Sequence, residues 1–225
     1  MKFKILFFLL FCVIVFLFWP KSTNQVVLPS DKQITQSIVH GVESRFIYLD
    51  DYYSDAPADL NIFSKAKAKV ITGYDSFTEN KAKLFRCGLL VMRYGMRKKQ
   101  LSASDFAVVK KFIDNGGRVL LACPAWVYES YEKKKIKDLS FYKIAKEFGL
   151  ILTSEYATAP DNMEGVFSSI KIENGTPVLQ GKDGKIVAAK SEKGKGKIFL
   201  WGQNNLFQLG LGDIVLKALN WLWQN

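Results

Sequence analysis

The chain has 225 residues, of which 48% are apolar and 24% charged, a balance that excludes an extensively disordered polymer and fits a globular domain. Lysine and arginine outnumber aspartate and glutamate by 32 to 21, for a net charge of +11, which favours anionic surroundings such as lipid headgroups or acidic glycans. The lysines fall in loop-like runs, Lys133-Lys134-Lys135-Ile136-Lys137 and Lys193-Gly194-Lys195-Gly196-Lys197. No arginine-rich helix or basic stripe interleaved with aromatics is present, so nucleic acid is not an expected partner.

In residues 1–20, Lys2 and Lys4 precede an unbroken apolar run from Ile5 to Trp19, and Pro20-Lys21 follows it. About 15 residues is short of the ~20 that a span needs, but counting from Met1 to Pro20, with the lysines snorkelling, brings the segment into range. The bulky Phe16-Leu17-Phe18-Trp19 end lacks the small residues of a cleavage site, so the segment reads as an uncleaved signal anchor. The positive charge ahead of it predicts a cytoplasmic N-terminus and an exported domain, periplasmic or extracellular. Residues 21–44 are polar and mixed and read as a stalk, which leaves residues 45–225 as one domain.

In that domain Arg45–Asp50 is the first predicted strand. A helix is predicted over Pro57–Lys67, with Leu60, Phe63 and Ala66 on its apolar face, then a strand over Lys69–Gly73. Cys87–Met92 is apolar throughout, as expected of a strand covered on both faces. Ser102-Ala-Ser-Asp105 has capping-box spacing, and Phe106, Val109, Phe112 and Ile113 continue it as one helical stripe. Gly116-Gly117 ends that helix and Arg118–Ala122 follows as a buried strand, which makes a βαβ crossover and a parallel sheet. Phe141, Ile144, Ala145 and Phe148 mark another helix, stopped at Gly149 and followed by a strand over Leu150–Thr153. From Val166 to Gln203 the pattern is β-rich, with a hairpin of Lys185–Ser191 and Lys197–Gly202. Asp213–Trp223 closes the chain as an amphipathic helix carrying Ile214, Val215, Ala218 and Leu222. The predicted class is α/β: a largely parallel, flavodoxin-like sheet with helices on both faces, a β-rich C-terminal part and one N-terminal transmembrane helix.

Several stretches carry a resemblance. Leu89-Leu-Val-Met-Arg-Tyr-Gly95, Leu101-Ser102 and Phe112-Ile-Asp-Asn-Gly-Gly-Arg-Val-Leu-Leu121 resemble the class I glutamine amidotransferase-like superfamily, in its non-catalytic, membrane-anchored or accessory-domain branch. Cys123-Pro-Ala-Trp126 and Phe141-Tyr-Lys-Ile-Ala-Lys-Glu-Phe-Gly149 are similar to the accessory domain beside some mucin-degrading metalloproteases. Gly196-Lys-Ile-Phe-Leu-Trp-Gly202 and Leu219-Asn-Trp-Leu222 fit as well, so the likeness covers residues 45–223. It implies an amidotransferase-like sheet.

Active members of that superfamily place a nucleophilic cysteine on a tight turn after a strand, and Cys123 stands at the matching position. Three features oppose a cysteine hydrolase or amidase. Leu121 and Ala125 stand where the turn's glycines would fall. Pro124 has no N–H to serve as an oxyanion donor and pushes Cys123 toward extended backbone. The one histidine, His40, lies in the stalk, and the family's base position falls near Gln203-Asn204-Asn205, where no side chain takes a proton at neutral pH. Of the three cysteines, Cys12 lies in the anchor, and Cys87 and Cys123 fall too far apart to pair, so both are expected free. Neither a cofactor nor a metal is implied, although adjacent Asp50 and Asp51 are an acid pair of the kind that can bind a hard cation.

Ligands of open α/β sheets collect beyond the carboxyl ends of the strands. Asp50, Arg93, Tyr94, Cys123, Trp126, Gln203 and Asn204 are predicted to share that rim and form the candidate binding site. Arg93, a charge ending an apolar strand, needs either Asp50 or an anionic ligand as partner. Trp126 can stack on a sugar ring or pack beneath its loop. The expected function is a non-catalytic, membrane-tethered binding or scaffolding domain of the cell envelope, with a protein partner in a membrane complex. Recognition of envelope glycans or acidic ligands is the alternative, and a hydrolase using Cys123 is a second one.

Overall fold

The computed structural model describes residues 45–55, 60–96, 98–206 and 211–224. The predicted anchor and stalk lie outside the described residues, and no helix among the described residues is long and apolar enough to cross a membrane. The chain order is β1 (Phe46–Asp50), α1 (Asn61–Lys65), β2 (Lys69–Gly73), α2 (Lys81–Phe85), β3 (Leu89–Arg93), α3 (Ala103–Asp114), β4 (Arg118–Ala122) and α4 (Ala125–Ser130). A 3₁₀ turn (Ile136–Asp138) leads to α5 (Ser140–Glu147), β5 (Leu150–Thr158), β6 (Val166–Ile172), β7 (Thr176–Gln180), β8 (Ile186–Lys193), β9 (Gly196–Trp201) and α6 (Gly212–Trp223).

Seven strands form a mixed, mostly parallel sheet in the order β2-β1-β3-β4-β9-β8-β7. The first five of these run parallel, and β8 and β7 extend the sheet by antiparallel pairing. The apolar strand runs have a simple cause. Successive side chains point to opposite faces, and both faces are covered. In β4, Val119 and Leu121 enter a core with α3 and α5, whereas Leu120 and Ala122 enter a second core with α1 and α6. Tyr48 against Ile47 and Leu49 in β1, and Leu200 against Phe199 and Trp201 in β9, repeat the alternation.

The α3 unit follows its sequence signals. Ser102 caps the helix by accepting the Asp105 N–H at 3.1 Å, and Val109, Phe112 and Ile113 are buried. At the helix end Gly116 takes φ +93°. Gly149 ends α5 with φ +74°, and a Cβ there would sit 2.8 Å from the Asn174 Cβ and 2.9 Å from its backbone nitrogen.

Three expectations are corrected and two elements are added. Of the helix predicted over Pro57–Lys67, residues 57–59 lie outside the described residues; the described part is helical over Asn61–Lys65 and buries Ile62, Phe63 and Ala66, while Leu60 is 44% exposed. One turn of helix against a sheet buries adjacent positions, which a three-residue spacing does not capture. The strand expected to end at Thr153 continues to Thr158, past a bulge between Leu152 and Tyr156, and pairs with β6 in a separate two-stranded sheet. The short helices α2 and α4 are further additions, since each spans less than two turns and leaves too few positions for a periodic signal. The strand predicted to open at Cys87 begins at Leu89, because the Cys87 N–H is taken by the Leu84 carbonyl at 2.9 Å.

Replacing Ser102 with Ala is expected to cost about 1 kcal/mol through the lost cap. Gly149→Ala is expected to cost about 2 kcal/mol or more, because left-handed strain adds to a backbone clash. Denaturation midpoints of the two variants against the parent protein measure both.

Candidate functional site

The strand order reverses between β1 and β3, which is where a doubly wound sheet opens a crevice at its carboxyl end. Asp50 ends β1 and Arg93 ends β3 on the two sides of that point. Asp50 is fully buried and organises its own loop. Its carboxylate accepts the Tyr52 N–H at 3.3 Å and the Tyr53 N–H at 3.1 Å, while the Ser54 hydroxyl donates to its carbonyl at 2.7 Å. The loop then crosses β3, where the Asp55 N–H donates to the Arg93 carbonyl at 2.9 Å. Lys98, arriving after β3, donates to the Asp51 carbonyl at 3.0 Å and lies 3.6 and 3.9 Å from the Asp51 and Asp55 carboxylates. A side chain at Gly95 would meet the Asp55 carboxylate at 2.5 Å, so the two loops touch with no space between them. The crevice is closed by the chain itself. Burial pushes the Asp50 carboxyl up to about 6, against the pull of its hydrogen bonds from Ser54, Tyr53 and Tyr52.

A second buried carboxylate joins the neighbouring loops. Asp105 accepts hydrogen bonds from the Tyr53 hydroxyl, the Thr78 N–H at 2.8 Å, the Thr78 hydroxyl at 2.7 Å and the Ser102 hydroxyl at 2.6 Å. Burial opposes its ionisation, but the bonds from Ser102, Tyr53 and Thr78 prevail and hold its pKa below the usual carboxylate value.

Cys123 follows β4 and is fully buried, with its N–H on the Trp201 carbonyl at 2.8 Å. Desolvation pushes its thiol well above the usual value. A strand-to-helix turn does occur here, since α4 begins at Ala125, but Pro124 carries it with φ −80° and ψ 79°. Left-handed backbone among the described non-glycine residues is confined to Lys67, Lys133 and Asn162, so Cys123 lacks the strained geometry of a nucleophile turn. Tyr94 is buried beside it, with its N–H on the Ala122 carbonyl at 2.8 Å and its hydroxyl donating to Glu132. Burial, and then the Glu132 carboxylate, raise the Tyr94 hydroxyl well above its usual value. Cys87 and Cys123 are both free thiols.

The remaining predicted residues meet on the surface. The Trp126 indole N–H (3.3 Å) and the Gln203 amide (2.5 Å) both donate to the Val166 carbonyl, and the Asn204 N–H donates to the Gln203 side-chain oxygen at 2.8 Å. Trp126 is flanked by Tyr156 at 5.2 Å and Tyr131 at 5.9 Å between ring centroids. Those tyrosines are 52% and 66% exposed. An open concavity of about 490 Å³ adjoins them, lined by Tyr156, Thr158, Val166 and Asp183. The seven predicted residues therefore divide into Asp50, Tyr94 and Cys123, which are buried with half-buried Arg93 beside them, and a group of Trp126, Gln203 and Asn204 that meets at the surface.

No family model and no curated sequence matches the chain. Solved structures match in fold. The N-terminal domain of mmIFT52 aligns over 80% of this chain and 98% of its own length, at 14% identity and a TM-score of 0.61. Cytoplasmic Protein STM1381 from Salmonella typhimurium LT2 aligns over 80% of this chain and 99% of its own, at 8% identity and a TM-score of 0.53. Cytoplasmic Protein STM3548 from Salmonella typhimurium aligns over 78% and 98%, at 11% identity and a TM-score of 0.52. At these identities the likeness is one of α/β fold alone.

Sequence reading missed Tyr131, Tyr156 and the role of Asp105 beyond its helix cap. Tyr131 lies five residues past Trp126, at the C-cap of α4, close enough along the chain to be legible in principle. Tyr156 comes from β5, and Tyr53 and Thr78 reach Asp105 from two other loops, so no local pattern joins them.

The Asp50 carboxyl binds its proton more readily in the folded protein than at its ordinary value of 3.8. Its stabilising contribution is therefore complete below about pH 4 and lost as pH rises through about 6. Over that window the parent protein should lose up to about 3 kcal/mol relative to Asp50→Asn, measured by denaturation at a series of pH values. Cys123 should resist a thiol reagent at neutral pH in the native protein and react only on unfolding, as followed by mass spectrometry of the labelled peptide.

Proposed function

We propose that this chain is a non-catalytic, membrane-tethered binding or scaffolding domain of the cell envelope, built on an amidotransferase-like sheet. One observation carries the non-catalytic part. The crevice where such a sheet would hold reacting groups is filled by the β1 and β3 loops, and the thiol at the nucleophile position is fully buried. A hydrolase using Cys123 would need a thiolate and a base, and neither the raised thiol nor the single histidine of the sequence, His40 in the stalk, favours one. The tether reading rests on the apolar run of residues 1–20 and its flanking lysines, with the domain on the far side of the membrane from the N-terminus. The rim carries no reaction in this reading and serves as a recognition surface.

A second reading, recognition of envelope glycans, is favoured by half-buried Trp126 and exposed Tyr131 and Tyr156 beside an open concavity. Aromatic faces suit sugar rings, and Gln203, Asn204 and Asp183 supply polar neighbours.

Extraction of the full chain from its native membrane in mild detergent separates the two. A protein retained in fixed stoichiometry, and kept by Trp126→Ala, supports scaffolding. Pelleting with envelope glycan that falls about tenfold in Trp126→Ala supports the glycan reading. Turnover of an amide or ester substrate that Cys123→Ala abolishes would overturn both.

A further inference from the structure

In a parallel α/β sheet every strand starts, and every crossover helix finishes, at the same end of the domain. Here that end, the base, is also where the N-terminal segment joins. Arg45 immediately precedes β1, with its carbonyl on the Lys69 N–H at 2.9 Å and its guanidinium 5.5 Å from the Trp223 ring at the end of α6. Residues 1–44 therefore lead into the base and not into the strand-end rim.

The base is where lysine collects. Lys65, Lys83, Lys111 and Lys146 stand in the last turns of α1, α2, α3 and α5, Lys69 starts β2, and Lys195 lies in the β8–β9 turn; all six are exposed. Each helical lysine complements the carbonyl end of its own helix, which explains it singly. Because the topology brings those helix ends together, the single effects add into one cationic face. The acids at this end do not cancel it. Asp114, Glu147 and Glu192 are each held by a lysine, Lys110 at 3.1 Å, Lys193 at 2.6 Å and Lys197 at 3.4 Å, and Glu173 stands exposed beside them. The opposite end mixes its signs. There Asp51, Asp55, Asp75, Glu79, Asp161 and Glu164 are interspersed with Lys98, Lys99 and Lys133–Lys135. The net charge of +11 is thus unevenly placed and weighted toward the base.

We propose that this base docks on an anionic lipid surface, which leaves the rim and its Trp126 patch facing away from the membrane. The inference rests on the tether reading above. Lysines drawn from separate elements and spread over one end suit the diffuse field of headgroups better than a shaped ligand. The tether alone does not impose the contact, because residues 21–44, if extended, would reach up to about 80 Å. Proximity must come from charge, so it must depend on salt. Screening acts over about 8 Å at physiological ionic strength and about 3 Å at 1 M.

The test uses the full chain with Cys12→Ser, reconstituted in vesicles of phosphatidylcholine alone or with phosphatidylglycerol. A fluorophore is placed at Lys195→Cys on the base or, separately, at Asp161→Cys on the rim, and energy transfer to a headgroup-labelled lipid is read. Transfer from position 195 should rise at least threefold with phosphatidylglycerol and return to the neutral-vesicle level at 1 M salt. Transfer from position 161 should stay low throughout. The triple change Lys65→Glu, Lys111→Glu and Lys146→Glu should abolish the rise while leaving the folded circular-dichroism spectrum at the assay temperature unchanged, with the melt lowered because each glutamate opposes its helix end. Flotation with both vesicles but equal transfer from the two positions would overturn docking and leave the tether standing. Protection of position 195 only on addition of an acidic protein would likewise overturn it and name the partner class instead. Failure to float with either vesicle would remove the tether, and this inference with it.

Discussion

Asp105 is the interaction on which the upper end of the domain depends. It lies in the first turn of α3, and its carboxylate joins three loops at once, through Ser102 of its own cap, Thr78 after β2 and Tyr53 after β1. A buried carboxylate is costly unless it is fully hydrogen-bonded, and this one is stable only when all three loops are in place. Tyr53 is the link to the next network, because its backbone N–H is also bound by Asp50. Two buried acids thus set the course of the β1 loop, and that course decides what the sheet can do.

With the β1 loop held there, the reversal point of the sheet is covered. Doubly wound proteins that bind small ligands at this position keep their loops short or splayed, so that backbone N–H groups face the crevice. In this chain the Asp55 N–H is taken by the Arg93 carbonyl, and the Lys98 side-chain ammonium covers the Asp51 carbonyl. Cys123 lies below this layer, in the core that it helps to fill. The aromatic cluster of Trp126, Tyr131 and Tyr156 lies to one side of this layer, where α4 and the β5–β6 ribbon meet.

The same topology gives the domain two unlike ends. Parallel strands force every crossover helix to run the other way, so helix ends and the lysines that complement them gather at one pole. The turns that carry Asp51, Asp75 and Asp161 gather at the other. Polarity of charge here is a consequence of winding as much as of composition.

Much of this was legible along the chain. Strands buried on both faces announce themselves as unbroken apolar runs, and Ser102 with Gly116-Gly117 bounded α3 within a residue or two of where it stands. Pro124 after Cys123 predicts extended backbone there, away from a strained turn. Such features are local, because propensity, capping and period act over a few residues. What only the tertiary structure decided was which polar groups find each other. Strand position alone puts Asp50, Arg93, Tyr94 and Cys123 on the same rim as Trp126 and Gln203, whereas the fold buries Asp50, Tyr94 and Cys123, half-buries Arg93 and brings Trp126 and Gln203 together at the surface. Sequence position places a residue at the end of a strand. Whether that end is open or covered depends on loops that come from distant parts of the chain and meet only when the core has formed.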